Sequence, residues 1–280
     1  MPDFKIDEVG NWTEIKLDII RDYLPAYTGI LSKQAGIRHF AFIDAFAGAG
    51  THRSKETGEE IDGSPSIAIK TTPPFTSYHF IESDPARAEH LGLMAKDRAD
   101  VTVYPGDANV VLPRDVFPQF RYEDYRRALC LLDPYDLNPK WDVVLAAGKS
   151  RSIEIFLNFM IMDANRNILL RNPAKMTWEN AARMTAFWGD ESWRDAAYET
   201  EPDLFEDQPI KVPNEGVAKA YAKRLREVAG FQFVPVPIPM RNSKSAAVYY
   251  LFFASPNKTG AKIVTDIMKK QRGRGPSHGS

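Results

Sequence analysis

The sequence predicts an α/β protein built on a mostly parallel sheet with helices on both faces. Three observations carry this expectation: short apolar runs alternate with helical stretches, four successive runs end in an acidic residue or a Gly-Asp pair, and two last runs are separated by only a short polar connection. The chain has 280 residues and 44% hydrophobic residues, enough for one large domain with an insertion. With 36 Lys and Arg against 37 Asp and Glu it is not basic throughout, so nucleic-acid binding cannot be read from total charge. A single cysteine, Cys130, excludes a disulfide framework and a cysteine-rich zinc or iron–sulfur site within this sequence. Set in the apolar run Ala128 to Leu132, it reads as a small buried hydrophobe.

Element by element, Trp12, Ile15, Leu17, Ile19, Ile20, Tyr23, Leu24 and Tyr27 recur at three- and four-residue steps. That spacing predicts an amphipathic helix from about Thr13 to Ser32, within an N-terminal helical segment over 1–35. Phe40 to Asp44 is short, apolar and closed by a Gly-rich loop, the pattern of a buried strand. Ser64 as cap and Pro65 at the first position start a helix. Ser77 to Glu82 gives a second strand and Pro85 to Asp97 a second helix. Val101 to Tyr104 is a third strand, running into Gly106-Asp107-Ala108. Ala128 to Leu132 and Ser152 to Met160 are the fourth and fifth. Gly230 to Pro235 and Ala246 to Phe253 suit an antiparallel pair at the edge of the same sheet.

The α/β domain therefore spans 36–268, interrupted at 171–216 by a mostly helical insertion. The insertion carries Trp178, Trp188 and Trp193, which suit its packing better than a binding platform. The last residues, 269–280, read as a flexible basic tail. No segment approaches the roughly 18 apolar residues that cross a bilayer, and the N-terminus lacks a secretory layout. A soluble cytoplasmic protein without membrane attachment is expected.

Chemistry concentrates at the strand ends. In Asp44-Ala-Phe46-Ala47-Gly48-Ala-Gly50, the glycines let backbone approach a ligand closely, and loop N–H groups can bind polar ligand atoms. The G-x-G-x-x-G pattern lacks its third glycine, and no Lys followed by Ser or Thr makes a P-loop. Glu82 sits where an acidic side chain can accept both hydroxyls of a ribose, and Asp107 where it can accept from an adenine amino group. Asp133 ends the fourth strand, with a plain helix or turn cap as its alternative reading. The five histidines are scattered, and no metal-binding pair or Gly-x-Ser-x-Gly elbow appears. Asp163, Asn165 and Arg166 follow the fifth strand, on the same expected edge. Arg121, Arg126, Arg127, Lys140, Lys149 and Arg151 fit phosphate contacts or a solvated face.

These ordered motifs resemble those of class I S-adenosylmethionine-dependent methyltransferases. More narrowly, the chain resembles the three-Cys-motif partner proteins over roughly Trp12 to Phe253. The resemblance rests on Trp12-x-x-x-Lys16, the Asp44 loop, Gly63-Ser64-Pro65 and His79 to Glu82. It continues through Asp133-Pro134-Tyr135, Phe156-Leu-Asn158-Phe159 and Asp163-x-Asn165-Arg166. It implies a Rossmann-like class I methyltransferase fold, a seven-stranded mostly parallel sheet whose last strand is antiparallel. S-adenosylmethionine would be the cofactor, with Asp44, Phe46, Ala47, Gly48 and Gly50 around its methionine part. Glu82 would meet the ribose, and Asp107 with Ala108 the adenine. Asp133-Pro134-Tyr135 resembles the acceptor turn of adenine amino-methyltransferases, with Tyr135 standing where the second proline is expected. The implied reaction is N-methyl transfer to a nucleic-acid base or another amine, alongside a bacterial three-cysteine, radical-SAM-like partner. The alternative is a catalytically inactive accessory or regulatory subunit of that partner, in a mobile-element or defence locus. A nuclease-like effector is a third and weaker reading, since no carboxylate cluster outside these strand ends stands out.

Overall fold

The structure, a computed structural model, describes residues 6–201 and 208–272. Its main sheet contains β1 (His39–Asp44), β2 (Ser77–Glu82), β3 (Val101–Pro105), β4 (Arg126–Leu132), β5 (Ile153–Phe159), β6 (Ile238–Arg241) and β7 (Ala247–Ala254). Their order is β3-β2-β1-β4-β5-β7-β6. The first five strands pair in parallel, and β7 runs antiparallel to both of its neighbours. This is the doubly wound order with one antiparallel strand slotted before the sixth. The fold is thus α/β and Rossmann-like, with the seven strands and the antiparallel last strand expected above.

The central strands form where the sequence is apolar without alternation, because both of their faces are covered. Phe40, Phe42, Leu129, Leu131 and Phe156 point to one core, while Ala41, Ile43, Cys130, Leu132, Ile155 and Leu157 point to the other. Helix Asn11–Leu31 packs into the first core rather than standing apart from the domain. The Tyr23 ring meets Phe156 and Phe253 edge-on at 5.5 and 5.3 Å, and Tyr27 stacks on Phe75 at 5.7 Å. On the opposite face, helix Trp178–Trp188 brings Phe187 to 4.9 Å from Phe159 and stacks it at 4.9 Å on Tyr221 of helix Asn214–Glu227. Trp188 and Trp193 are buried there, whereas Trp178 is exposed.

Several boundaries differ from the sequence reading. The penultimate strand is Ile238–Arg241, not Gly230 to Pro235, where Gly230 takes a positive φ of 87° and Phe233 makes only one isolated bridge, to Ser255. Gly63, not Ser64, caps the short helix Ser64–Ile69. The insertion is not mostly helical throughout: Tyr198–Glu201 and Gln208–Lys211 form an antiparallel pair. The basic tail begins as helix, since Lys269 and Lys270 belong to Lys258–Arg272; positions 273–280, like 202–207 of the acidic stretch, lie outside the described residues. A small three-stranded sheet, Glu8–Val9, Thr51–Ser54 and Glu60–Asp62, has no counterpart in the sequence reading. No helix among the described residues is long and apolar enough to cross a membrane.

Candidate functional site

Strand order reverses between β1 and β4, and the crevice outside the carboxyl ends of such strands is where open α/β sheets bind ligands. Asp44 ends β1, Glu82 ends β2, Gly106-Asp107 follows β3 and Asp133 follows β4. Asp44 pairs in register with Leu131, so the Asp133 backbone lies just past it on the neighbouring strand.

The loop after β1 turns on two glycines at left-handed φ, Gly48 at 62° and Gly50 at 80°. Asp44 is 0% exposed. Its Oδ1 accepts from the Phe46 N–H at 3.2 Å, and its Oδ2 has no partner. Burial pushes this carboxyl up to about 7, opposed by the nearby Ser64 hydroxyl. Glu82 ties the loop down: one oxygen accepts from the Gly48 N–H at 2.8 Å and the other from the Asp84 N–H at 2.8 Å. The Ala47 N–H donates to the Ile81 carbonyl at 3.0 Å. Space over Gly48 is open, with nothing within 4 Å of where a Cβ would stand.

The Gly63-Ser64-Pro65 segment supports this loop from behind. The Gly63 N–H and the Ser66 hydroxyl both donate to the Gly50 carbonyl, at 2.9 and 2.7 Å. A Cβ on Gly63 would stand 2.8 Å from the Gly50 carbonyl carbon and oxygen. Gly63→Ala is therefore expected to cost about 1–3 kcal/mol through overpacking and to displace the loop. Chemical unfolding measures the first effect, and loss of ligand-induced stabilisation the second. A variant as stable as the parent would show that the loop yields freely.

Beyond β3, Asp107 is exposed and caps the turn Ala108–Val111, accepting from the Asn109 N–H at 2.9 Å and its side-chain amide at 3.0 Å. Ala108 beneath it is buried. Asn109 also reaches Asn138 at 2.8 Å, which joins this turn to the segment after Asp133.

Asp133 is the meeting point of three elements. One of its oxygens is ion-paired with Lys16 of the first helix, and the other accepts from the side-chain amide of Asn158 on β5. Lys16 is 3% exposed and Asn158 1%. The Asn158 Oδ1 and the His52 Nδ1 are buried without partners. Burial lowers the His52 pKa, with the Lys16 charge acting in the same direction. Pro134 is buried, whereas Tyr135 is 71% exposed. The Tyr135 hydroxyl donates to Asp7 at 2.6 Å and accepts from Arg87 at 3.4 Å, while Arg87 pairs with Asp7 at 2.8 Å. The residues before the first helix are thereby strapped across the Asp133 turn.

Asp163 and Asn165 serve attachment of the insertion. Asp163 pairs with Arg183 at 2.8 Å, Arg183 also reaches Asp136 at 3.6 Å, and Asn165 accepts from Lys211 at 2.7 Å. Composition and strand ends did not single out Asp7, Lys16, His52, Arg87 and Asn158, although Lys16 and Asn158 belong to the motifs of the resemblance above. Two of them left a signal: Lys16 lies on the apolar stripe shared by Ile20, Tyr23 and Tyr27, and Asn158 interrupts an apolar run in a fully buried strand.

No protein-family model and no curated protein matches the chain. Among solved structures, protein LPL1258 from Legionella pneumophila str. Philadelphia 1, of the family DUF519, aligns with a TM-score of 0.51 at 12% identity, over 94% of this chain and 93% of that one. The methyltransferase domain of bacterial CtHen1 aligns with a TM-score of 0.39 at 10% identity, over 85% of this chain and 99% of that one. Aeropyrum pernix fibrillarin, solved with natively bound S-adenosyl-L-methionine, aligns with a TM-score of 0.40 at 10% identity, over 87% of this chain and 76% of that one. At 12% identity the likeness to LPL1258 is one of fold alone.

Proposed function

We propose that this protein binds S-adenosylmethionine at the carboxyl edge of its sheet and transfers a methyl group to a nitrogen, on a nucleic-acid base or another amine. The observation that supports this most is the convergence of Asp44, Glu82 and Asp133 on the strand-order reversal, around an open glycine loop and an orphaned Asp44 oxygen. The residues present fit such a cofactor. Asp44 offers a free acceptor to a cationic ligand group beside Phe46, Ala47, Gly48 and Gly50. The Glu82 Oε2 keeps a second lone pair for a ribose hydroxyl, while Oε1 also accepts from the Ser83 hydroxyl at 3.5 Å, and Asp107 with Ala108 borders the place for the base. The cofactor supplies a methyl already activated on a sulfonium, so the protein has mainly to position the acceptor and take up charge. Asp133 and the Pro134 carbonyl would accept from the target amine, and the exposed Tyr135 ring would stack against a base lifted out of its helix. The proton that the acceptor nitrogen gives up on methylation would pass to Asp133 or to water.

Calorimetric titration with S-adenosylmethionine and S-adenosylhomocysteine tests this. Binding is expected, with Glu82→Ala weakening it about tenfold or more, because two loop N–H groups lose their acceptor and the ribose its partner. No binding at millimolar ligand would sink the reading.

One observation favours a second reading, an accessory subunit of a three-cysteine partner that keeps the cofactor pocket without turnover. Both Asp133 oxygens are occupied by Lys16 and Asn158, and the Tyr135 hydroxyl is held by Asp7. Single-turnover transfer from labelled cofactor to nucleic acid, with and without that partner, separates the two.

A further inference from the structure

The geometry points to a second ligand site, at the opposite end of the sheet, that takes a small organic phosphate. A cavity of about 430 Å³ opens there, lined by Tyr27, Tyr122, Arg127, Arg151, Glu154 and Lys258 among others. Arg127 stands at the start of β4, six residues before Asp133, about 20 Å away at the rise of an extended strand. The cavity is therefore separate from the carboxyl-edge crevice. Its volume falls within the range of about 300–1,000 Å³ found for small-molecule sites.

The lining is built for an anion. The Arg127 guanidinium lies over the Tyr122 ring at 4.2 Å from its centroid and, among the described residues, donates only to main-chain carbonyls, of Tyr122 at 3.4 Å and Arg126 at 2.7 Å. Arg151 shares the same ring at 5.3 Å and pairs loosely with exposed Glu123 at 3.4 Å. Among the described residues, no carboxylate lies within ion-pair distance of Arg127 or Lys258. Lys258 opens the 15-residue C-terminal helix, so the positive end of that helix adjoins the cavity. An adjoining cavity shares Lys258 and adds Arg226 and Lys262.

Two buried polar side chains stand in the cavity wall. The Tyr27 hydroxyl, on a side chain only 5% exposed, has no hydrogen-bond partner. A buried donor left unsatisfied costs about 1–3 kcal/mol; the hydroxyl is closed off from the cavity as it stands, and a small movement of the Tyr27 side chain toward an acceptor oxygen there would recover that cost. Glu154 is also buried; it accepts from Tyr23 at 2.5 Å and Ser255 at 2.9 Å, and burial pushes its carboxyl up to about 7. Arg127, Arg151 and Lys258 face the cavity against the single carboxyl of Glu154, so the lining stays net positive even with that acid ionised. A phosphate monoester, carrying about −1.5 to −2 charges near neutral pH, matches this balance better than a monocarboxylate. The Tyr27 hydroxyl would donate to a phosphate or sugar oxygen, and Arg127 would hold the phosphate.

The test is calorimetric titration of the full chain, at constant ionic strength, with inorganic phosphate, ribose 5-phosphate and ribose. Ribose 5-phosphate is expected to bind more tightly than inorganic phosphate, and ribose not to bind. Arg127→Ala should weaken binding about tenfold or more by removing a charged donor. Tyr27→Phe removes one unpaired hydroxyl at constant shape and keeps the fold; it should weaken binding two- to tenfold. Binding that ignores both variants, or none at 10 mM of either phosphate, overturns the site.

Discussion

Replacing Asp133 by alanine is expected to lower stability by about 3–5 kcal/mol, read as an earlier midpoint of urea unfolding at unchanged slope. The reason is the burial of Lys16. Its ammonium lies under the first helix with Asp133 as its anionic partner, and deleting that partner strands a charge where water does not reach it. Asn158 loses its acceptor in the same step. The double variant Lys16→Met/Asp133→Ala should recover most of the loss, because the charge goes with its partner. If single and double variants unfold within about 0.5 kcal/mol of the parent, the pair is effectively solvated and the clamp has no energetic basis. Asp133→Asn keeps the shape and one carbonyl acceptor, so it serves the functional test. A transferase would lose methyl transfer while holding cofactor affinity within about threefold. An accessory subunit would keep its partner and have no activity to lose.

The second large effect follows from Asp44. Its folded-state pKa of about 7 lies above the ordinary 3.8, so the folded chain keeps a proton that the unfolded chain releases. The stability this proton confers is complete below about pH 4 and is lost as pH rises through 7. Relative to Asp44→Asn, the parent should lose on the order of 3 kcal/mol across that window. Glu154 and the buried histidines titrate in both proteins and cancel in the difference. Urea unfolding of the pair at pH 4.5, 6 and 8 checks it, and a constant difference would mean that Asp44 is already ionised in the fold. A cationic ligand group at the free Oδ2 would add a second consequence. Cofactor affinity would rise from pH 6 to 8 with release of a proton, seen by calorimetry in two buffers of different ionisation heat. Asp44→Asn would abolish that release, and a parent that binds without any would remove Asp44 from the contact.

Much of the site's outline is legible in the sequence because strand ends are local features. A run such as Phe40 to Asp44 states both its burial and its terminus, and four acidic ends in order predict one edge before any pairing is known. Pattern alone misplaces β6, because Gly230 to Pro235 is apolar enough for a strand, while its positive-φ glycine and its proline disfavour one. Asp7 and Arg87 are not legible in the sequence, since each looks like any surface charge until the chain folds them onto Tyr135.

The sequence by itself determined the class of fold, the buried strands and the identity of the carboxylates at their ends, since hydrophobic periodicity and turn residues act over a few positions. Only the tertiary structure decided what those carboxylates do. It joined Lys16 to Asp133 across 117 residues and Asn158 to the same group across 25, and it turned Glu82 into the anchor of the Gly48 loop. It also opened a cationic cavity at the far end of the sheet, from residues drawn from the first helix, β4, β5 and the C-terminal helix. Periodicity reports that a residue is buried; which charge is buried against it depends on strand order and helix placement, and those are set by packing of the whole chain.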